Sequence, residues 1–194
     1  MRLLPTAARR DLPPLPRRAL FVGRLLPEKG VWPLLRGMAL LRDRGVDVTL
    51  SLVGPGEPKE LQAFIDAKGL ADRVSLAGHQ TDVARFYREA DFVIIPSVCL
   101  EALGMVSLEA RMHGLPVIYS RRGGLPETQV EGVTGLALPE VTPEAIADAV
   151  IALRADPARY AEMSMRAPDG LEGYSIEHMV NAYVRAYLDE LESM

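Results

Sequence analysis

The chain has 194 residues, of which 48% are hydrophobic and 25% are charged. This composition is typical of one compact folded domain and excludes a fibrous or largely disordered chain. The 26 acidic and 22 basic residues give a net charge of -4, which provides no broad positive field for a nucleic-acid backbone. We therefore expect no nucleic-acid partner.

The single cysteine and the hydropathy pattern indicate where such a chain works. Cys99 cannot form an internal disulfide, which predicts a reducing, cytoplasmic environment. No apolar stretch approaches the roughly 18 residues that cross a bilayer, and prolines interrupt the chain too early for a signal peptide. We expect a cytoplasmic domain, and peripheral docking on a membrane surface stays open.

Proline and arginine content separates an opening segment from the rest of the chain. Residues 1–17 predict a linker or disordered arm, and residues 18–194 are expected to form one domain. In this domain, short apolar runs alternate with segments of helical periodicity. The predicted strands are residues 19–22, 46–53, 74–77, 92–95, 116–119 and 135–138. The predicted helices are residues 31–44, 59–67, 82–90, 105–113, 143–154, 159–165 and 176–191.

The alternation of strands and helices predicts the fold class. Such a chain forms a parallel sheet with helices on both faces. Right-handed crossovers then give a single Rossmann-like, doubly wound α/β fold. Ligands of these folds bind in the crevice at the carboxyl ends of the strands, so the loops that follow the strands are the candidate site.

The loop after the first predicted strand, residues 23–30, carries a glycine turn and two cations. Gly23 begins it, and Arg24 and Lys29 follow. An arginine fork holds two phosphate oxygens, a lysine supplies a point charge, and the next helix adds partial positive charge at its start. The loop predicts an anion site. A solvated turn is the alternative that the sequence leaves open.

Two glutamates flank a second predicted helix start. Gly104 lets backbone N–H groups approach a ligand closely, and Glu101 and Glu109 can accept hydrogen bonds from the neutral hydroxyl groups of a sugar. The alternative is ordinary helix-end charge on a solvated face. A third segment, residues 114–127, contains a glycine pair that brings the backbone close to a ligand or simply forms a tight turn.

Four motifs occur in order on this scaffold. They are Gly-Arg-Leu-x-Pro-x-Lys-Gly at 23–30, Pro-Ser with Glu-x7-Glu at 96–109, Gly-x-Pro-Val-Ile at 114–118 and Gly-Gly-x-x-Glu at 123–127. Together they resemble the carboxyl-terminal domain of the family-four retaining glycosyltransferases, also called glycosyl transferases group 1. The resemblance spans about residues 19–191. It implies that the chain is one half of a GT-B fold and binds a nucleoside-diphosphate sugar.

The resemblance also implies roles for individual residues. The cations would bind the donor diphosphate and stabilise the charge that grows on it as it leaves. The residues implied as catalytic are Arg24, Lys29 and Glu101. The residues implied in donor binding are Gly23, Gly78, His79, Leu103, Gly104, Met105, Val106 and Glu109. In this scheme Glu109 bonds the ribose, the base lies near residues 78–79, and no metal or other cofactor is required. An ordinary loop histidine is the alternative at His79.

Only residues 1–17 precede the expected fold, whereas the family has an amino-terminal acceptor domain. We expect that domain in cis or in trans, and nucleotide binding without efficient transfer by this chain alone. We also expect self-association through exposed apolar surface, and a membrane-surface acceptor stays open. Two other classes stay open. They are a related epimerase or phosphorylase half, and a non-catalytic nucleotide-binding or assembly module.

Overall fold

The computed structural model describes residue 13 and residues 15–192. The predicted opening arm, residues 1–17, therefore lies largely outside the described residues. The first strand begins at Arg18, and the last helix ends at Glu192.

Six strands form one parallel sheet with the order β3-β2-β1-β4-β5-β6. The strands are β1 (Arg18–Val22), β2 (Thr49–Val53), β3 (Val74–Gly78), β4 (Phe92–Ile95), β5 (Val117–Ser120) and β6 (Gly135–Leu138). All six predicted strands are present, so the predicted parallel sheet is confirmed.

Seven α-helices connect and follow the strands. They are α1 (Val31–Asp43), α2 (Pro58–Ala67), α3 (Ala84–Glu89), α4 (Met105–Met112), α5 (Pro143–Ala155), α6 (Pro157–Arg166) and α7 (Ile176–Glu192). Three short 3-10 helices, which the sequence does not predict, lie at Pro27–Lys29, Leu125–Thr128 and Leu171–Tyr174. Each lies in a loop where no apolar period marks it.

The second strand begins at Thr49 rather than at residue 46, and residues 45 and 46 complete the end of α1. Gly45 has a φ of 69°, and its N–H donates to Arg42 O. The Val46 N–H donates 2.9 Å to Leu41 O. This pair of bonds is a Schellman motif, which satisfies carbonyls that the last turn of a helix leaves free. Val46 therefore belongs to the helix cap, although its side chain suits a strand.

Apolar side chains pack on both faces of the sheet. Alternate residues of β1 point to opposite faces, with Phe21 on one side and Leu20 on the other. The first face is covered by α1, α2, α5 and α6, and the second by α3 and α4. This confirms the predicted doubly wound arrangement.

A buried carboxylate fixes the first strand beside the fourth. Asp91 is 1% exposed, and it accepts hydrogen bonds from the backbone N–H groups of Arg17 and Arg18 and from the Arg18 guanidinium. Burial alone would raise the pKa of Asp91, but these hydrogen bonds and the Arg18 charge outweigh it and lower that pKa. Asp91 lies immediately before β4, where no sequence motif marks it.

The strand order places a crevice between β1 and β4. The chain leaves β1 towards α1 on one face and leaves β4 towards α4 on the other, so the two loops diverge at the carboxyl edge. No helix within residues 15–192 is long and apolar enough to cross a membrane.

Candidate functional site

A cavity of about 290 Å³ opens at this crevice. It is lined by Phe21, Val22, Gly23, Lys29, Ile95, Ser97, Glu101, Ala102, Leu103, Gly104, Met105 and Val106. The structure thus brings one predicted cation, one predicted carboxylate and the predicted helix start to a single place.

Lys29 and Glu101 form the polar centre of the cavity. The Lys29 Nζ donates 2.6 Å to Glu101 Oε1, and the two side chains are only 20% and 19% exposed. The buried Ser97 hydroxyl donates to the same oxygen. Burial alone would raise the pKa of Glu101, but the bonds from Lys29 and Ser97, with the positive charges of Lys29 and Arg24, lower it. Glu101 is therefore ionised at neutral pH.

Arg24 lies at the rim of the cavity rather than in its lining. Its side chain is 63% exposed, and its guanidinium forms a long ion pair of 3.9 Å with Glu28. Its charge nevertheless reaches Glu101, since it contributes to the lowered pKa of that carboxyl. An exposed guanidinium of this kind is free to swing towards an anion in the crevice.

The β1 and β4 loops are held together through their backbones. The N–H groups of Val98 and Cys99 both donate to Glu28 O, at 2.9 and 3.2 Å. Gly30 has a φ of 75°, and a Cβ there would lie 1.8 Å from Pro96 O. Only glycine permits this conformation and this approach. The contact fixes Lys29 opposite Glu101.

Gly30→Ala is expected to destabilise the fold and loosen this contact. Gly45 has a similar φ of 69° but no atom within 4 Å of an added Cβ, so Gly45→Ala is a matched control. We expect Gly45→Ala to lower the free energy of unfolding by roughly 1 to 2 kcal/mol. Gly30→Ala should cost about 1 to 3 kcal/mol more, because the Cβ meets backbone. Urea denaturation of both variants measures the difference, and equal losses would contradict the contact.

The start of α4 points free backbone donors at the cavity. Gly104 is the residue before the helix, with a φ of 76°, and no side chain caps this end. The first N–H groups of a helix have no partner within it and carry partial positive charge. Met105 and Val106, which carry such groups, line the cavity. This end of α4 can therefore bind an anion.

The glycine pair of the third motif contacts the chain itself. The Gly124 N–H donates 2.7 Å to Glu101 O, and a Cβ on Gly123 would lie 2.1 Å from the same oxygen. The two glycines thus bring the β5 loop against the backbone of Glu101. The glycine pair therefore packs against protein backbone, and its predicted approach to a ligand stays a prediction.

The remaining predicted residues lie outside the cavity lining. Glu109 is on α4, four residues after Met105 and so about 6 Å along the helix axis. Gly78 is the last residue of β3 and His79 follows it. This strand is two strands from β1 and therefore roughly 10 Å away along the same edge. That a ligand extends to these residues stays a prediction.

The sequence analysis missed a buried polar network that fixes α4. The Ser107 hydroxyl lies 2.6 Å from Thr128 Oγ1 and accepts from the Gln129 amide. Arg111, which is 3% exposed, donates to three backbone carbonyls, those of Thr128, Ala167 and Asp169. The one available signal was an arginine on the face of α4 that also carries Leu108.

Within the part of the chain that the structure describes, no group of three or more His, Cys, Asp or Glu side chains is placed to hold a metal ion.

Curated proteins similar to this chain are glycosyltransferases. The D-inositol 3-phosphate glycosyltransferase of Rhodococcus opacus (strain B4) is 34% identical over 193 residues, which cover 93% of this chain and 43% of that protein. Its namesake from Corynebacterium glutamicum (strain R) is 37% identical over 145 residues, which cover 70% of this chain and 34% of that protein. The chain thus spans less than half the length of these relatives.

Solved structures share the fold. Anabaena HepE in complex with UDP has a TM-score of 0.78 at 25% identity, and the match covers 89% of this chain and 48% of HepE. The C-terminal domain of the group 1 glycosyltransferase LpcC from Francisella tularensis has a TM-score of 0.69 at 22% identity, and 89% of that domain is covered. This last likeness supports the fold alone.

The family model described as glycosyl transferases group 1 matches residues 16–156, which is well over half of the chain. The matched region includes the β1 loop, the β4 loop and α4, which together form the cavity. Sequence and fold therefore agree, and the chain belongs to the group 1 glycosyltransferase family of GT-B fold.

Proposed function

We propose that the chain is the donor-binding half of a retaining glycosyltransferase, which transfers a hexosyl unit from a nucleoside-diphosphate sugar to an acceptor. One observation carries the proposal. A cation, a helix amino-terminus and an ionised carboxylate converge in a single cavity, at Lys29, residues 104–106 and Glu101. The first two suit a diphosphate, and the third suits sugar hydroxyl groups.

The proposed chemistry depends on where charge develops. As the glycosidic bond breaks, negative charge grows on the diphosphate, so groups that bind this charge stabilise the transition state more than the ground state. Lys29 and the α4 amides are fixed in the cavity, and Arg24 closes from the rim. We propose that they carry the leaving-group charge without a metal ion. Glu101 then orients the donor sugar as an acceptor of hydrogen bonds.

The rest of the donor follows the same sheet edge. Glu109 is proposed to bond the ribose, and Gly78 with His79 to contact the base. Two findings support this extension. The carboxyl edge offers a continuous path from β4 to β3, and HepE, which is 25% identical, is known in complexes with UDP and UDP-glucose. UDP is therefore the first nucleotide to test.

We further propose that a second domain, in cis or in trans, supplies the acceptor site. Without such a domain the cavity would be open to water, so transfer by residues 1–194 alone is expected to be inefficient. The relatives are more than twice as long as the matched region, which supports the proposal. The last helix supports it too. A stripe of eight apolar residues on α7 is between 47% and 70% exposed, namely Ile176, Met179, Val180, Tyr183, Val184, Tyr187, Leu188 and Leu191.

The α7 stripe is expected to make the isolated chain self-associate. Apolar residues at spacings of three and four form one face, and a face of this size in water drives association. Tyr183→Lys places a charge within the stripe and should shift the chain towards monomer, whereas Asn181→Lys, on the opposite face, should not. Light scattering over a concentration series measures this. A monomer at all concentrations in the unaltered chain would contradict the prediction.

Calorimetric titration with UDP, GDP and ADP tests donor binding. We expect one of them to bind saturably, with competition by the matching nucleotide sugar. Lack of binding by all three would refute the proposal and favour a non-catalytic assembly module.

Retention of the anomeric configuration is tested separately, by NMR of the product anomer once the partner domain is present. An isomerised or phosphorolysed sugar there would instead indicate an epimerase or phosphorylase.

A further inference from the structure

A buried tyrosine contacts Glu109, the residue assigned to the ribose. Tyr87 lies on α3, is 2% exposed and donates a hydrogen bond of 2.8 Å from its hydroxyl to Glu109 Oε2. Helices α3 and α4 cover the same face of the sheet, so the bond links two neighbouring elements. It leaves the second oxygen, Oε1, for another donor.

The position of the Tyr87 ring is itself fixed. It stacks on the His113 ring at a centroid distance of 5.0 Å and an interplanar angle of 17°. The His113 Nδ1 lies 2.8 Å from Glu109 O, so the histidine is tied to the same helix turn. The ring therefore has little freedom to move, and its hydroxyl is held at a fixed position beside α4.

The Glu109 carboxylate needs a fixed hydrogen-bond donor to set its orientation. The last torsion of a glutamate side chain is broad, so the plane of a carboxylate is not set by its rotamer alone. A donor held at one oxygen fixes that plane and directs the other oxygen. Burial first, and then the charge and hydrogen bond of Glu109, raise the pKa of Tyr87, so its hydroxyl stays protonated and donates at neutral pH.

The neutral character of this donor matters for binding. Lys29 compensates the charge of Glu101, whereas a tyrosine hydroxyl orients the Glu109 carboxylate without neutralising it. A carboxylate that keeps its charge is a strong acceptor for a neutral hydroxyl group. A phenylalanine would fill the same apolar space with no polar group to satisfy.

We propose that Tyr87 is a positioning residue for the donor ribose, because it holds Glu109 Oε2 so that Oε1 accepts from the ribose diol. This inference rests on the proposed function. It adds a residue that does not itself touch the donor, and it predicts a selective dependence on the ribose hydroxyl groups.

The test is Tyr87→Phe, measured with three ligands: UDP, 2′,3′-dideoxy-UDP and inorganic pyrophosphate. We expect the variant to bind UDP roughly 5-fold more weakly than the unaltered chain does, as for one lost hydrogen bond. Binding of the other two ligands, which lack the diol, should not change. Tyr160→Phe is the matched control, because that buried hydroxyl donates 3.1 Å to Asp91 O, at the opposite end of the strands. It should leave all three affinities unchanged.

Each outcome decides one step. Unchanged UDP affinity in Tyr87→Phe, with an unaltered chain that prefers UDP over the dideoxy compound, would overturn the role of Tyr87 and leave the proposed function standing. Equal weakening for all three ligands would also overturn it, since it indicates general distortion. Equal binding of UDP and dideoxy-UDP by the unaltered chain would contradict the proposed contact between Glu109 and the ribose hydroxyl groups. Absence of UDP binding by the unaltered chain removes the proposed function itself.

Discussion

Lys29→Met is expected to weaken UDP binding by about 1.5 to 3 kcal/mol, which is roughly 10- to 150-fold. The reason is that Lys29 lines the cavity and lies mostly buried against Glu101. In the enzyme assembled with its acceptor domain, the loss in the transition state should reach about 2.7 to 4 kcal/mol, because charge grows on the leaving diphosphate. Arg24, which is exposed, should contribute less to ground-state binding.

The other two lysines provide the control for this prediction. Lys59 and Lys68 are exposed on and just after α2, and their replacement by methionine changes the net charge by the same amount. Their variants should bind UDP as the unaltered chain does. Calorimetry on all three variants distinguishes a specific contact between Lys29 and the diphosphate from an effect of the net charge of the chain. Similar losses for the three, or no loss for Lys29→Met, would remove Lys29 from the site.

Arg111→Met is expected to lower the free energy of unfolding by about 3 to 5 kcal/mol, as for breaking a buried charged contact. The guanidinium donates to the carbonyls of Thr128, Ala167 and Asp169. Methionine would leave the buried carbonyls of Thr128 and Ala167 without this donor. Burial lowers the pKa of Arg111, yet an arginine stays charged at neutral pH. Urea denaturation measures the loss.

A second measurement links this stability to the site. Arg111 lies on α4, whose start lines the cavity, and Ser107 on the same helix joins the network at Thr128. A displaced α4 should therefore also weaken UDP binding. Arg36→Met, at an exposed position on α1, should change unfolding by less than about 0.5 kcal/mol. A loss below about 1 kcal/mol for Arg111→Met would show that the three carbonyls find other donors.

The sequence predicts the sheet and the centre of the site because both depend on local pattern. Each strand is a short apolar run, and the motifs of the loops after β1 and β4 are recognisable in the sequence. The rule that ligands bind at the carboxyl ends of parallel strands predicts that the loops with Lys29 and Glu101 share one crevice, and in the structure these two side chains form an ion pair. The strand order that makes β1 and β4 neighbours comes from the structure.

Features that depend on helix-cap geometry or on tertiary contacts could not be predicted from the apolar pattern. Val46 has a strand-forming side chain, but its N–H completes the cap of α1 and shortens β2. The sequence pattern places Tyr87 among the apolar residues of α3. It does not indicate the hydrogen bond to Glu109, which is 22 residues away in sequence. Arg111 reads as a surface charge, because its three carbonyl partners lie in segments without a sequence signal.

The most direct test of the account is a crystal structure of the chain with UDP bound. The account predicts diphosphate oxygens within hydrogen-bonding distance of Lys29 Nζ and of the backbone N–H groups at residues 104–106, with the ribose beside Glu109. UDP bound anywhere else on the chain, with Lys29 still paired to Glu101 and the α4 amides without the diphosphate, would contradict it.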